Sequence, residues 1–137
     1  MKIMLDVGAV YPVRAYAQDA GLDLFSREEK IILPGDSAVF DTGVHIELPD
    51  GTYGRLESKS GLNVRYGVCC LGGTIDQGYI GSIQVKLYNL GDKPYLVRKN
   101  QKIVQLVIVP CLQPEMELVK SLGHTERGEN GFGSTGM

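Results

Sequence analysis

The sequence predicts an all-β protein, and three observations carry this prediction. Residues 44–48 and residues 83–88 alternate between apolar and polar side chains, which is typical of strands with one buried face. Turn signals such as Pro-Gly-Asp at 34–36 and Pro-Asp-Gly at 49–51 separate the runs. The 18 glycines and six prolines are spread along the chain, which leaves little room for a long helix.

Other segments depart from simple alternation. Residues 103–109 are almost continuously apolar, so we expect a strand that is buried on both faces. Short helices are expected at residues 14–20 and at residues 60–65. Many short strands separated by regular turns are typical of a sandwich, a jelly roll or a barrel. We expect a single β domain over residues 1–122.

Charge and composition exclude some classes of function. The 137 residues carry 14 Lys and Arg against 16 Asp and Glu, a net charge of −2. A general nucleic-acid binder normally carries a strongly basic face, so no direct nucleic-acid partner is expected. No run reaches the roughly 18 to 20 apolar residues of a membrane span, and the apolar run before Asp6 is too short for the core of a signal peptide, so none is expected. No membrane association is therefore expected.

The cysteines indicate a reducing compartment. Cys69, Cys70 and Cys111 are an odd number and show no CxxC spacing. Neither a disulfide framework nor a zinc site is predicted, and the thiols are expected to stay reduced. We expect a cytoplasmic protein, or a nuclear one if the source is eukaryotic or viral.

The last residues, 123–137, are unlike the rest of the chain. Phe132 is the one large apolar side chain before Met137, so this segment cannot repay its ordering entropy by burial and is predicted to be flexible in the free protein. A tail of no consequence is the simple interpretation. However, Arg127, Ser134 and Thr135 supply a cation and hydroxyls among glycines, a set suited to a polyphosphate. We therefore treat residues 123–137 as a C-terminal arm.

Two further stretches fit an anionic ligand. Residues 57–62, ESKSGL, place a cation, hydroxyls and a glycine at a turn into the second predicted helix. Residues 72–81, GGTIDQGYIG, place Asp76 and Tyr79 in a glycine-rich hairpin. Taken alone, each is more often an ordinary loop, and an aspartate in a turn is usually a turn former.

Together and in order, five stretches resemble the motifs of the trimeric dUTPases. They are AGLDL at 20–24, SKSGL at 58–62, GGTIDQGYIGS at 72–82, RKNQKIVQL at 98–106 and RGENGFGSTG at 127–136. The resemblance implies a jelly-roll-like subunit, a homotrimer, and hydrolysis of dUTP to dUMP and pyrophosphate with Mg²⁺. It also implies that each of the three sites is assembled from three chains, with the arm closing over a neighbour's site.

The resemblance assigns roles to residues. Asp76 is the expected base that activates water, and Tyr79 is expected to lie under the deoxyribose and reject ribonucleotides. Asp23 is expected to hold Mg²⁺ indirectly, through water. The uracil would be read by the hairpin, at Cys70, Gly73, Thr74 and Ile75. The triphosphate would be held by Lys59, Ser60, Gly61 and Gln105. The arm would contribute Arg127, Gly133, Ser134 and Thr135 to the γ-phosphate, and Phe132 to the uracil face.

The chain departs from the family pattern at several positions. Lys59 stands where arginine is usual, which keeps the charge and loses the bidentate fork. Gly78 replaces a frequent acidic residue, and Ile80 replaces a basic one. Cys70 stands where some members read uracil with a side chain, so recognition here would use backbone groups. Outside the motifs, His45 is expected to be a solvated surface residue.

Two other functions are compatible with parts of this sequence. The dCTP deaminases share the fold and resemble the chain at IDQGYIG, but they carry a catalytic glutamate where this sequence has Lys86, and they typically lack the arm. Some dUTPase-like proteins are instead regulatory binding modules that use inserted segments. This chain has no insertion between the fourth and fifth motifs, so dUTP hydrolysis is the favoured interpretation.

Overall fold

A computed structural model describes residues 1–131 and confirms the all-β prediction. The first strands of the chain are β1 Lys2–Leu5, β2 Gly21–Phe25, β3 Lys30–Ile32, β4 Ser37–Asp41, β5 Val44–Glu47 and β6 Thr52–Ser58. A short helix follows, α1 Ser60–Tyr66. The remaining strands are β7 Val68–Cys69, β8 Thr74–Ile75, β9 Gln84–Asn89, β10 Tyr95–Val97 and β11 Lys102–Pro110.

All strand pairs are antiparallel, and the strands form four sheets. The largest sheet has the order β2-β11-β6-β8, and a second has the order β4-β9-β7. Two small ribbons, β1-β5 and β10-β3, complete the architecture. In the largest sheet β11 lies at the centre, and Gln105 is opposite both Asp23 of β2 and Glu57 of β6. This register brings the first, second and fourth motifs to one place.

The core lies between the sheets and is built by the predicted alternation. Val85 and Leu87 of β9 are buried, whereas Gln84 and Lys86 are exposed. In β11, Ile103, Val104 and Leu106 are buried, but residues 107–109 are only half-buried, so the expectation of burial on both faces holds for the first half of this strand.

One of the two predicted helices is present. Residues 60–65 are helical and α1 extends to Tyr66, where Gly67 ends it in the left-handed conformation at φ 67°. The helix predicted at residues 14–20 is wrong, since the segment forms a turn. There the Asp19 carboxylate accepts a hydrogen bond from the Tyr16 backbone N–H, and Arg14 donates to the Ala20 carbonyl at 2.9 Å. Local side-chain bonds of this kind compete with helical ones.

The chain leaves the sheets after Pro110. Residues 112–130 are exposed throughout, including the apolar side chains of Leu112, Met116, Leu118 and Leu122, which are 89% or more accessible. No helix in residues 1–131 is long and apolar enough to cross a membrane.

Candidate active site

A buried carboxylate between two lysines is the centre of the predicted phosphate-binding part of the site. Asp23 is 4% exposed, and its two oxygens contact different cations. Oδ1 accepts a hydrogen bond from Lys59 Nζ, and Oδ2 lies 2.8 Å from Lys102 Nζ. Strand β2 supplies the carboxylate, the residue between β6 and α1 is Lys59, and the start of β11 supplies Lys102.

The charge state of Asp23 follows from these contacts. Burial alone would raise the pKa of this carboxyl, but the hydrogen bonds and positive charges of Lys102 and Lys59 outweigh it and lower the pKa below its ordinary value. Asp23 is therefore ionised at neutral pH, which leaves one net positive charge on the three groups.

Gln105 and the start of α1 adjoin this cluster. Gln105 Nε2 donates to the Ser58 carbonyl at 3.2 Å, next to Lys59. Gly21 leaves room for this side chain, because a Cβ there would lie 2.5 Å from Gln105 Oε1. Ser60 and Gly61 follow directly and are exposed. Four of the predicted triphosphate-binding residues thus lie together, beside Asp23.

The hairpin predicted to read uracil is fastened to the end of β6. The Cys70 N–H donates to Ser58 Oγ at 2.9 Å, and that hydroxyl donates back to the Cys70 carbonyl at 3.0 Å. Gly73 packs on Leu56, whose N–H donates to the Gly73 carbonyl at 2.9 Å. Cys70 itself is buried, and burial raises the pKa of its thiol.

Asp76 and Tyr79 lie in the tight turn after β8, the strand that contains Thr74 and Ile75. Both side chains are accessible to solvent. The Tyr79 N–H donates to the Asp76 carbonyl at 2.9 Å, and the Tyr79 hydroxyl donates to the Ser82 carbonyl at 2.9 Å. Gly81 lies under the phenol ring, since a Cβ there would approach the hydroxyl oxygen to 2.5 Å. The turn therefore holds the tyrosine in one orientation.

The predicted base and the predicted phosphate cluster are far apart within one chain. Ile75 is paired with Gly54 of β6, which places Asp76 at the level of Tyr53. Lys59 follows Ser58, at the other end of the same strand. Six residues at about 3.3 Å each separate these levels by about 20 Å. A single chain thus places the predicted base and the predicted phosphate cluster at opposite ends of β6.

His45 contradicts the expectation of a solvated residue. Its side chain is 18% exposed, with Nδ1 2.8 Å from the Ile80 carbonyl and Nε2 3.1 Å from Asp6 Oδ1. The hydrogen bond with the Ile80 carbonyl and the nearby carboxylates of Asp6 and Asp41 raise the pKa of His45, against a smaller opposing effect of burial. Alternation along β5 placed His45 on the correct face but could not reveal that another segment covers it.

Some predicted site residues lie elsewhere or outside the described part. Arg127 is exposed, and its Nε donates to the Asn130 carbonyl at 2.9 Å. Phe132, Gly133, Ser134 and Thr135 lie outside the described residues. Lys102 was missed, although it lies within the fourth motif three residues before Gln105. The feature that could have identified Lys102 is its position at the start of β11, because this strand pairs with β2, which contains Asp23.

The described residues contain no group of three or more His, Cys, Asp and Glu side chains that could hold a metal ion by themselves. Asp23 is the one predicted metal-linked carboxylate, and both its oxygens contact ammonium groups. The described residues therefore supply no all-protein cage for Mg²⁺, which usually keeps several waters and relies on substrate phosphates, and Asp23 could bond to such waters only if one of the two lysines turned away.

Comparisons with known proteins identify the family. The dUTPase family model matches residues 8–136. The deoxyuridine 5'-triphosphate nucleotidohydrolase of Clostridium acetobutylicum is 44% identical over 135 residues, covering 97% of this chain and 93% of that protein.

Solved structures are similar over nearly the same length. The Staphylococcus bacteriophage 80alpha dUTPase with dUpNHpp gives a TM-score of 0.88 at 32% identity, covering 99% of this chain and 98% of that one. A mutant dUTPase from phage phi11 of S. aureus, which coordinates a structural Mg(II) ion, gives 0.81 at 28% identity, with coverage of 88% and 96%. The chain therefore belongs to the dUTPase family and has its jelly-roll-like β fold.

Proposed function

We propose that this protein hydrolyses dUTP to dUMP and pyrophosphate. The observation that carries the proposal is the pair of half-sites on β6. One end presents an ionised carboxylate between two lysines beside the first residues of α1, and the other presents an accessible carboxylate beside a fixed tyrosine. The first half suits a triphosphate and the second suits a nucleoside with its attacking water.

The triphosphate is held by the cluster at the start of α1. Lys59 and Lys102 supply positive charge, of which Asp23 neutralises part, and Ser60 adds a hydroxyl. Lys59 is a point charge on a flexible stem, so it can turn from Asp23 toward a phosphate oxygen. Lys102 then remains on Asp23 and keeps that carboxylate paired. Gln105, fixed by the Ser58 carbonyl, borders the same space.

The hairpin supplies the nucleoside end of the site. The backbone from Cys70 to Gly73, with Thr74 and Ile75, reads the uracil edge, and Tyr79 packs under the deoxyribose, where a 2′-hydroxyl would clash. Asp76 accepts a proton from water, and the water oxygen attacks the α-phosphorus. The bond to the bridging oxygen of the β-phosphate breaks, so pyrophosphate leaves and dUMP remains.

Magnesium is the proposed cofactor. When bound, the ion offsets negative charge on the phosphates during the reaction. Asp23 is the residue of this chain that would hold it, through water molecules, because its carboxylate is ionised.

The active protein is proposed to be a homotrimer with shared sites. The separation of about 20 Å along β6 means that Asp76 of one copy and Lys59 of another must meet to complete a site. The exposed apolar side chains of residues 112–122 support association, since nothing in the described chain covers them. Residues 123–137 are proposed to be an arm that lies over a neighbour's site, where Arg127, Gly133, Ser134 and Thr135 bind the γ-phosphate and Phe132 covers the uracil.

The compartment is proposed to be the cytoplasm, or the nucleus of a eukaryotic or virus-infected cell. All three cysteines are free thiols, and two of them are buried in the fold, which suits a reducing environment.

The proposal is tested with a panel of nucleotides. Purified protein and Mg²⁺ are incubated separately with dUTP, dTTP, dCTP and UTP, and pyrophosphate and ammonia are measured. We expect pyrophosphate from dUTP alone. Asp76→Asn should abolish it, whereas the matched control Asp92→Asn, in an exposed turn, should retain full activity. A variant ending at Gly123 should lose most activity if the arm is a lid.

The other outcomes identify the alternatives. Ammonia from dCTP would indicate a deaminase, although Lys86 of β9, where that class has its glutamate, lies exposed with Nζ 5.1 Å from the centre of the Tyr88 ring. Binding of dUTP without turnover would favour the regulatory module. Full activity without residues 124–137 would contradict the proposed role of the arm and leave the hydrolase standing.

A further inference from the structure

The His45 ring lies between two hydrogen-bond acceptors. Nδ1 is 2.8 Å from the Ile80 carbonyl oxygen, and Nε2 is 3.1 Å from Asp6 Oδ1. Neither partner has a proton to donate when Asp6 is ionised. A neutral imidazole has one N–H and could satisfy only one of them, whereas an imidazolium donates to both. The geometry therefore favours the doubly protonated ring, the form that donates to both acceptors.

The contact with Ile80 is one of three side-chain tethers that hold residues 76–82. Gln77 donates to Asp50 at 2.7 Å and accepts from the Gly51 N–H at 3.2 Å. At the other end, the Ser82 hydroxyl donates to Asp41. His45 holds the middle of this segment, because its ring contacts the carbonyl of Ile80, the residue after Tyr79. It is the one member of the three tethers that ordinarily titrates near neutral pH.

We propose that His45 is a positioning residue, whose protonated ring fixes the turn that presents Asp76 and Tyr79, so that nucleotide binding weakens when the ring loses its proton. This inference rests on the proposed function. Loss of one N–H leaves a lone pair facing either Asp6 or the Ile80 carbonyl, and the turn is released on that side.

The charges around the ring favour the protonated form. Asp6 and Asp41 are both bonded to Arg27, at 3.1 and 3.2 Å, which keeps the two carboxylates in place. In the adjoining groove, Lys2 and Glu47 form their own exposed ion pair at 3.0 Å. Because the pKa of His45 is raised in the folded protein, its tether is complete below about pH 6.5 and is lost as the pH rises through the raised pKa.

The test compares binding of dUpNHpp to wild-type protein and to His45→Gln by calorimetry, between about pH 5.5 and about pH 9. Wild type should bind about fivefold more tightly than the variant at low pH, an ordinary size for coupling between two sites, and the advantage should disappear at high pH. The phosphate groups of the analogue titrate equally in both proteins. Lys2→Gln, which changes a charge in the same groove, should follow the wild-type profile.

A second readout distinguishes positioning from simple stability. By reciprocity, saturation with dUpNHpp should raise the pKa of His45, which NMR can follow because the chain has only one other histidine, His124. An unchanged pKa, or equal pH profiles for wild type and His45→Gln, would overturn the proposal. If neither protein bound the analogue, the proposed function would fail. The tether itself would then be tested by NMR of the free protein. The amide signals of residues 79–81 should shift with the titration of His45, and signals that did not shift would overturn the tether.

Discussion

Lys102 offers the sharpest test of the charge cluster, because its Nζ lies 2.8 Å from a carboxylate oxygen of the buried Asp23. Lys102→Met keeps the aliphatic stem and removes the ammonium group. Asp23 would then retain only Lys59. The variant therefore measures how much the second cation contributes to the free energy of unfolding through its contact with a residue that is 4% exposed.

The expected change in the free energy of unfolding follows from the burial of Asp23 and the partial exposure of Lys102. Removing one partner from a fully buried ion pair costs about 3 to 5 kcal/mol, but the Lys102 side chain is 42% exposed and its charge is screened by water. Lys59 also keeps Asp23 paired. We therefore expect a loss of about 1 to 2 kcal/mol at neutral pH, near the low end of what one hydrogen bond to a charged group contributes.

The assay is urea unfolding at one fixed protein concentration, because assembly would make stability depend on concentration. Lys99→Met, an exposed lysine in the turn before β11, is the matched control and should change stability by less than about 0.5 kcal/mol. Asp23 has a lowered pKa, so its stabilisation is present above about pH 3.8 and is lost as the pH falls through the folded value. The difference between Lys102→Met and wild type should shrink in acid. Equal losses for the two lysine variants, or a loss independent of pH, would refute the reasoning.

Three further predictions concern packing, thiol reactivity and selectivity. Gly91→Ala should destabilise the protein by about 2 kcal/mol or more in urea unfolding, because its Cβ would lie 2.3 Å from a backbone carbonyl oxygen of α1, whereas Gly61→Ala, whose Cβ meets nothing, should be nearly neutral; equal stabilities would contradict the packing. Cys70 should react with iodoacetamide more slowly than Cys111, by peptide mass spectrometry, since burial both shields its thiol and raises its pKa. Similar rates would show that the hairpin opens freely. Tyr79→Phe, which loses the 2.9 Å bond to the Ser82 carbonyl, should reduce the kcat/KM preference for dUTP over UTP by about tenfold, and an unchanged ratio would remove Tyr79 from sugar selection.

The sequence predicted the features that depend on local pattern. Alternation identified β5 and β9, turn residues marked their ends, and the helix predicted at residues 60–65 is present, one residue longer than expected. Residues 14–20 were misread because their composition permits a helix. What excludes a helix there is the competition from the Asp19 carboxylate, which a periodicity argument does not weigh.

Contacts between distant segments were harder to predict. Lys102 and Lys59 are 43 positions apart in the sequence, and only the pairing of β2, β11 and β6 brings both to Asp23. His45 likewise meets Ile80 and Asp6 from two other segments. A pattern along one strand gives the face of a side chain but not its partner. The roles of the individual site residues stay predictions.

Subunit complementation tests the central claim of a hydrolytic site shared between copies most directly. Asp76→Asn and Lys59→Met are prepared separately, shown to be inactive toward dUTP, then unfolded together in equal amounts and refolded. If each site takes Asp76 from one chain and Lys59 from another, random assembly makes about one quarter of the sites intact, and about one quarter of the wild-type activity should return. If each chain formed its own site, the mixture would stay as inactive as its two components, and the account would be wrong.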